Sequence, residues 1–466
     1  MNEKKKNLEF YMGDTGAVLP LVVMLGGIIL LVLADLKNAK NYWSAAFLGL
    51  IVAYSLMKEK KQFNGVMLRA IGDKMFASLM MTWIFAGIFA KSLSIGGLAN
   101  GVLWAAQQIG VGPTFLPVML FLVACGLSTA MGTCGGTISV MIPVFLPTAV
   151  ALGCHPLVIA GAIMSGSYFG DNLAPISDTT IASAGTMGVD VASCVRTRLR
   201  YSLTAGSITA VIFVLLGIML KGDMTLAVAG VVESDPRHLI LLIPAILLIV
   251  MVIKTGDLVP CLLLSAVLSM TLSIVFGLVL PADIFAVDGI IAAGTESMMG
   301  IMIFSFLTFC IIQCTTESGV LDRITMKISS ICRSPRSCEF SIIILCVIIT
   351  IMVPSNSVAI ILCGPIAAKL IREQKLEPTR GSNLLDGICV SVTSLLFYSA
   401  GVLMCYSLSM ESGVVAADIS PAEMVLYSPY GACLIIVLCV SAFTGWGRKY
   451  ISTEEKKHIE EGYEMV

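Results

Sequence analysis

The chain has 466 residues, 57% of them hydrophobic and 13% charged, with 29 Lys and Arg against 30 Asp and Glu and a formal net charge of −1. Its mean hydropathy of +0.94 excludes a soluble fold, which cannot hide that much apolar surface, and the balanced charge gives no footing for nucleic acid. Fifteen cysteines without a CxxC pair, and three histidines (His155, His238 and His458) at no ligand spacing, read as packing residues rather than a transition-metal centre.

Lys4, Lys5 and Lys6 precede an apolar run at 16–34, too long for a signal-peptide core and read as the first retained helix. A shorter span at 42–57 follows. Lys58, Lys60, Lys61, Arg69 and Lys74 make the next loop basic, which predicts a cytoplasmic position. The span 75–93 leads to an uncharged loop at 94–115 with a short surface helix over 98–108. Helices at 116–131 and 138–153 flank the break Gly132-Thr133-Cys134-Gly135-Gly136-Thr137, forming a pair that leaves and returns on one side. The segment 157–195 is broken between Asp171 and Asp178, after Gly166 and Gly170, which are read as loosening the helix. Arg196, Arg198 and Arg200 mark its cytoplasmic end, and 201–220 crosses outward.

The second half repeats the plan. Spans at 239–253, 258–280 and 298–316 stand for the first three. The pair at 337–371 breaks at Pro354-Ser355-Asn356-Ser357, 383–410 is interrupted and polar around Asp386, and 424–442 closes the chain. The offset is about 223 residues, shrinking to about 214 where 391–394 is set against 177–180, so that Val392 stands opposite Asp178. Charge flips between the halves. The loops at 281–297 and near Cys154 are free of Lys and Arg where their counterparts are basic, and 317–338 carries Arg323, Lys327, Arg333 and Arg336. Lys37 and Lys40 fall on the outside and fit poorly. Lys91, Glu296 and Glu317 lie at span ends and read as snorkelling to the interface.

The expected fold is an all-α polytopic membrane protein of two inverted-topology repeats with helix-break-helix hairpins and broken transmembrane helices. It has about 11 to 13 membrane segments. A tail covers 1–15, the first repeat 16–220, a connector 221–238, the inverted second repeat 239–443 and a tail 444–466. Both termini are expected in the cytoplasm and the chain in a cell (inner or plasma) membrane.

Broken helices are tolerated at membrane depth only where freed backbone lines a cavity or binds an ion, and intramembrane acids mark ion or proton paths. Asp178, among Ser177, Thr179 and Thr180, is the first candidate for a carboxylate that takes Na+ or H+ in turn; its structural reading is a helix N-cap. Asp171 is the second, for a direct role or as an acid tied to freed backbone. Asp386 is the third and weaker one. Thr133, Thr137, Ser355, Asn356 and Ser357 are the break residues expected to line the same cavity. Na+ takes oxygen ligands, and burial moves a carboxylate toward protonation near neutral pH, so competition at one acid gives exchange. No nucleophile–base set suggests an enzyme, and no filter ring or continuous polar pore suggests a channel.

The stretch Gly170-Asp171-Asn172-Leu173-Ala174-Pro175-Ile176-Ser177-Asp178-Thr179-Thr180 resembles the SDTT-containing pattern of the NhaC family of sodium/proton antiporters, and 132–137 is similar to that family's Gly-Thr-rich break. The resemblance spans about residues 16 to 443. It implies Na+/H+ antiport without a cofactor beyond the transported ions, with Na+- or H+-coupled exchange of organic acids or amino acids, malate/lactate type, as the alternative. Partners are then the bilayer, Na+ and H+, with a small organic anion and a homodimer left open. Ala174 replaces the family's usual Ser, Asn172 often replaces a Lys, and Gly135 stands where an aromatic is common, which leaves room for something larger than an ion.

Overall fold

The computed structural model describes residues 8–451 apart from 35, 37–38, 99, 102–103, 105–112, 221–234, 256, 322, 325–333 and 417–418. The expected surface helix at 98–108, most of the 221–238 connector, and Lys327 and Arg333 lie outside the described residues or largely so. Among the described residues nine helices are long and apolar enough to cross a membrane, with three shorter apolar helices besides. The described residues are nearly all helical and form no strand, as the apolar composition predicts.

The first group of helices packs together as one bundle. It comprises α1 (Asp14–Leu33), α2 (Tyr42–Leu56), α3 (Phe63–Ile71) and α4 (Lys74–Ile95) from the first half. From the second half come α10 (Leu242–Thr255), α11 (Leu258–Val275), the short α12 (Pro281–Phe285) and α13 (Ile290–Glu317). The intervening helices, α5 to α9, belong to the second bundle. Helices α4 and α13 run antiparallel: the Phe76 ring lies 5.2 Å from Phe309 at one end, and Gly87 crosses Gly294 further along. A Cβ on Gly87 would sit 2.2 Å from the Gly294 carbonyl oxygen, so only small residues permit this approach.

The second bundle starts with α5 (Leu116–Met131), α6 (Cys134–Ala151), α7 (Pro156–Leu173), α8 (Asp178–Met187) and α9 (Val191–Met219). It adds α14 (Pro335–Met352), α15 (Asn356–Glu373), α16 (Pro378–Leu395), α17 (Ala400–Glu411), α18 (Pro421–Leu426) and α19 (Tyr430–Thr444). Gly166 and Gly170 do not loosen α7, which is continuous to Leu173. They let it press on α5: a Cβ at 166 would meet the Phe121 oxygen at 2.4 Å, and one at 170 the Ser128 Cβ at 2.4 Å.

Helices α6, α7 and α8 of the first half correspond in order to α15, α16 and α17 of the second. Cys134 and Asn356, Pro156 and Pro378, and Asp178 and Ala400 open corresponding helices, each pair 222 residues apart. The offset therefore does not shrink at the second break, and the counterpart of Asp178 is Ala400, not Val392. The hydroxyls at 391–394 misled the sequence comparison because they lie inside α16. There Thr393 bonds back to the Cys389 carbonyl at 2.8 Å and Ser394 to that of Ser391 at 2.7 Å.

Ion pairs tie the ends together. Arg69 donates to both oxygens of Glu317 at 2.6 and 2.7 Å, and Asp14 meets Arg323 at 2.6 Å, which puts the segments after α2 and after α13 at one end. Lys91 pairs with Glu411 at 2.6 Å, joining α4 to α17 across the two bundles. Lys91 and Glu317 are thus partners in ion pairs rather than snorkelling singly. A denser network fixes the C-terminal end. Glu339 on α14 is fully buried and accepts from Arg380 at 2.9 and 3.1 Å and from Arg448 at 3.0 and 2.8 Å. Arg380 also donates to Tyr201 and Ser441, both at 2.8 Å. Glu339→Ala would strand a buried guanidinium and is expected to cost about 3–5 kcal/mol. Thermal unfolding in detergent would measure it, and an unchanged midpoint would count against this role.

Candidate functional site

The site forms where four helices begin. α7 stops because Ala174 precedes Pro175 and is held extended (φ −68°, ψ 124°). The chain restarts at Ser177, an extended N-cap whose hydroxyl accepts from the Thr179 amide at 3.4 Å. α6 starts after Gly132, whose left-handed φ of +72° closes α5. α15 starts after Pro354, with Ser355 accepting from the Val358 amide at 3.5 Å. α17 starts after Ser399. Helix α6 packs on α17, and α15 packs on α8, so each half's break faces the other half.

Asp171, 4% exposed, occupies the enclosed part of this junction. Its Oδ1 accepts from Ser177 at 2.7 Å and its Oδ2 from the Asn356 amide at 3.3 Å. The Cys134 thiol lies beside it as well. Three breaks therefore converge on one carboxylate. Ser177 also shares a hydroxyl contact with Thr179 at 2.9 Å. Asp178 is exposed beside it, where Ser357 donates to its Oδ2 at 3.4 Å. Ser355, Asn356 and Ser357 thus stand beside the carboxylates. Thr137 is turned away: its hydroxyl bonds to the Thr133 carbonyl at 3.2 Å and approaches the Met131 sulfur at 3.8 Å. From the Thr133 turn it is Cys134 that reaches Asp171.

Thr180 and Asp386 form a second, adjoining cluster with a residue that sequence reasoning placed elsewhere. Arg198 is 1% exposed and forms an ion pair with Asp386, which is fully buried. Arg198 is therefore no marker of a cytoplasmic end. A signal was present in the spacing: at about 100° per residue, Arg196 and Arg200 share a helix face while Arg198 points the other way. The structure has Arg196 and Arg200 exposed and Arg198 buried. Cys134, Asn172, Ser183, Ser202 and Ser382 are the other contact residues that the sequence did not single out.

These residues sit within a chain that matches known proteins along most of its length. The family model described as the Na+/H+ antiporter family matches residues 10–218 and 226–394. A malate-2H+/Na+-lactate antiporter of Bacillus subtilis (strain 168) is 26% identical over 267 residues, 55% of this chain and 56% of that protein. A Haemophilus influenzae protein described as an uncharacterized Na+/H+ antiporter is 23% identical over 376 residues, 74% of this chain and 80% of that one. The Na+/H+ antiporter NhaC of Alkalihalophilus pseudofirmus is 28% identical over 131 residues, 28% of each. The chain thus matches just over half the length of the first of these relatives, 56%. With the family model covering both halves, and helices enough for repeated crossing of a bilayer, this multi-pass membrane protein belongs to the Na+/H+ antiporter family.

Proposed function

We propose that the protein is a secondary transporter that exchanges Na+ for H+ at a carboxylate site within the membrane, with Asp171 as the residue that holds one or the other. The observation that carries this reading is Asp171 itself, a buried acid that accepts from Ser177 and Asn356, one from each half of the chain. A buried carboxylate beside the Ser177 hydroxyl suits a hard cation, and the carboxylate itself can take a proton when the cation leaves. Asp178, Ser357 and Thr179 then line the approach. The two halves act as inverted repeats around this site, with both termini cytoplasmic, and alternating access moves the broken helices against the α4–α13 scaffold. No covalent step is involved.

One observation favours a second reading, exchange coupled to a small organic anion. A Cβ on Gly135, next to Cys134, would meet only the Met404 sulfur at 3.9 Å and the Thr133 hydroxyl at 4.0 Å, so the turn itself leaves space. The helix starts around it would suit an anion's charge.

Proton flux into proteoliposomes under imposed Na+, Li+ and K+ gradients, with and without malate, lactate and basic amino acids, tests both readings. A saturating Na+-driven flux without any organic solute is expected. Flux that requires an organic acid would select the second reading, and no cation-driven flux under any condition would overturn the first.

A further inference from the structure

We propose that Arg198 and Asp386 are positioning residues, a buried ion pair that clamps both ends of the first break and so sets the affinity of the Asp171 site. In this arrangement Asp386 serves the pair and not the transported ion. The proposal rests on the exchange reading above for its functional consequence, but its structural content stands apart from it.

The clamp is visible atom by atom. Arg198 donates through Nη1 to the Asn172 carbonyl at 2.6 Å, to the Thr180 hydroxyl at 3.0 Å and to Asp386 Oδ2. Through Nη2 it reaches Ser183 at 3.2 Å and Ser382 at 3.4 Å. Asp386 Oδ1 accepts from the Asn172 side-chain amide at 3.2 Å, and Oδ2 accepts from Thr180 at 3.2 Å and Ser183 at 3.5 Å. Ser202 donates to Asn172 Oδ1 at 2.6 Å and fixes which way that amide faces.

Asn172 follows Asp171 directly at the end of α7, and Thr180 lies two residues past Asp178 at the start of α8. Residues on either side of the break are therefore held by one pair whose members come from α9 and α16. The Asn172 carbonyl is among the last of α7, without an onward helical partner, and the guanidinium supplies one. The fork of Arg198 suits this work because its donors leave in fixed directions. Asp386 is a poor cation ligand here. Its Oδ2 already takes three donors, and a cation beside it would face the guanidinium charge in a low-dielectric interior.

Two variants test the proposal. Arg198→Lys keeps the charge and loses the fork. The pair Arg198→Gln/Asp386→Asn removes both charges while leaving amides that can still bond, and such neutral replacement of a buried pair is often tolerated. Both are purified, checked for monodispersity, and compared by hydrogen exchange over 171–183 and by Na+-driven proton flux per inserted molecule.

The expected result is faster exchange confined to 171–183, an apparent KM for Na+ raised about tenfold, and a maximal rate within about threefold of the parent, since one charged hydrogen bond is worth about a factor of ten or more. Unchanged exchange over 171–183 and an unchanged KM would overturn the clamp. A folded, inserted neutral pair with no flux at any Na+ concentration would overturn it as well, by making Asp386 a carrier of the ion or proton. If the parent protein itself shows no cation-driven flux, the exchange reading fails, and hydrogen exchange over 171–183 alone decides the clamp.

Discussion

Asp171→Asn is expected to lower Na+-driven proton exchange by about 100-fold or more, toward protein-free vesicles, because a desolvated cation that loses its charged partner loses several kcal/mol. The amide keeps the size of the side chain and can still bond Ser177 and Asn356, so the junction should remain folded. It can neither carry a negative charge nor take the proton, so both competing ligands lose their shared place. Asp178→Asn, measured in the same vesicles, is expected to raise the apparent KM for Na+ a few-fold and leave the maximal rate largely intact. Asp178 is exposed while Asp171 is enclosed, and an exposed charge is screened more strongly than a buried one. The reverse pattern, a dead Asp178→Asn and an active Asp171→Asn, would move the carrier to Asp178. Full exchange in both would remove the site from this junction.

Gly170→Leu is expected to remove most of the folded protein. A Cβ at 170 would stand 2.4 Å from the Ser128 Cβ and 2.5 Å from the Thr129 backbone nitrogen. Backbone cannot step aside as a flexible side-chain tip can, and overpacking of this kind costs about 3 kcal/mol. The crossing also carries Asp171, one residue further on, so what folds should have a displaced carboxylate. Fluorescence-detected size exclusion of membrane extracts would read the loss. Gly185→Leu is the control, because a Cβ at 185 has nothing within 4 Å. A monodisperse, heat-stable Gly170→Leu protein would show that α5 and α7 do not need this contact.

What the sequence by itself determined is the class of the molecule and the places where its helices stop. Apolar runs of spanning length leave only a helical membrane protein, because backbone in lipid must satisfy itself within each segment. Pro175 and Pro354 act on the residue before them, so Ala174 and Val353 leave helical geometry whatever surrounds them. The Ser177 cap and the Gly132 turn are likewise local, and so both of those breaks were legible in a single chain. Asn356 and Ser357 were legible as break residues for the same reason.

Tertiary structure decided everything that depends on which faces meet. Whether an acid is enclosed or open is set by neighbours far away in the chain: Asn356 is 185 residues from Asp171, and Asp386 is 188 from Arg198. The second break carries no proline, so hydroxyls at 391–394 drew the comparison eight residues too early, and only the helix boundary at Leu395 placed it. Gly166 and Gly170 have the composition of a loosened helix, yet their meaning came from α5 lying against them. Arg198 shows the same division most plainly. Its charge predicts water, and the periodicity of α9 turns it inward, but burial is tolerable only because Asp386 and the Asn172 carbonyl wait there, and that meeting is a property of the packed fold.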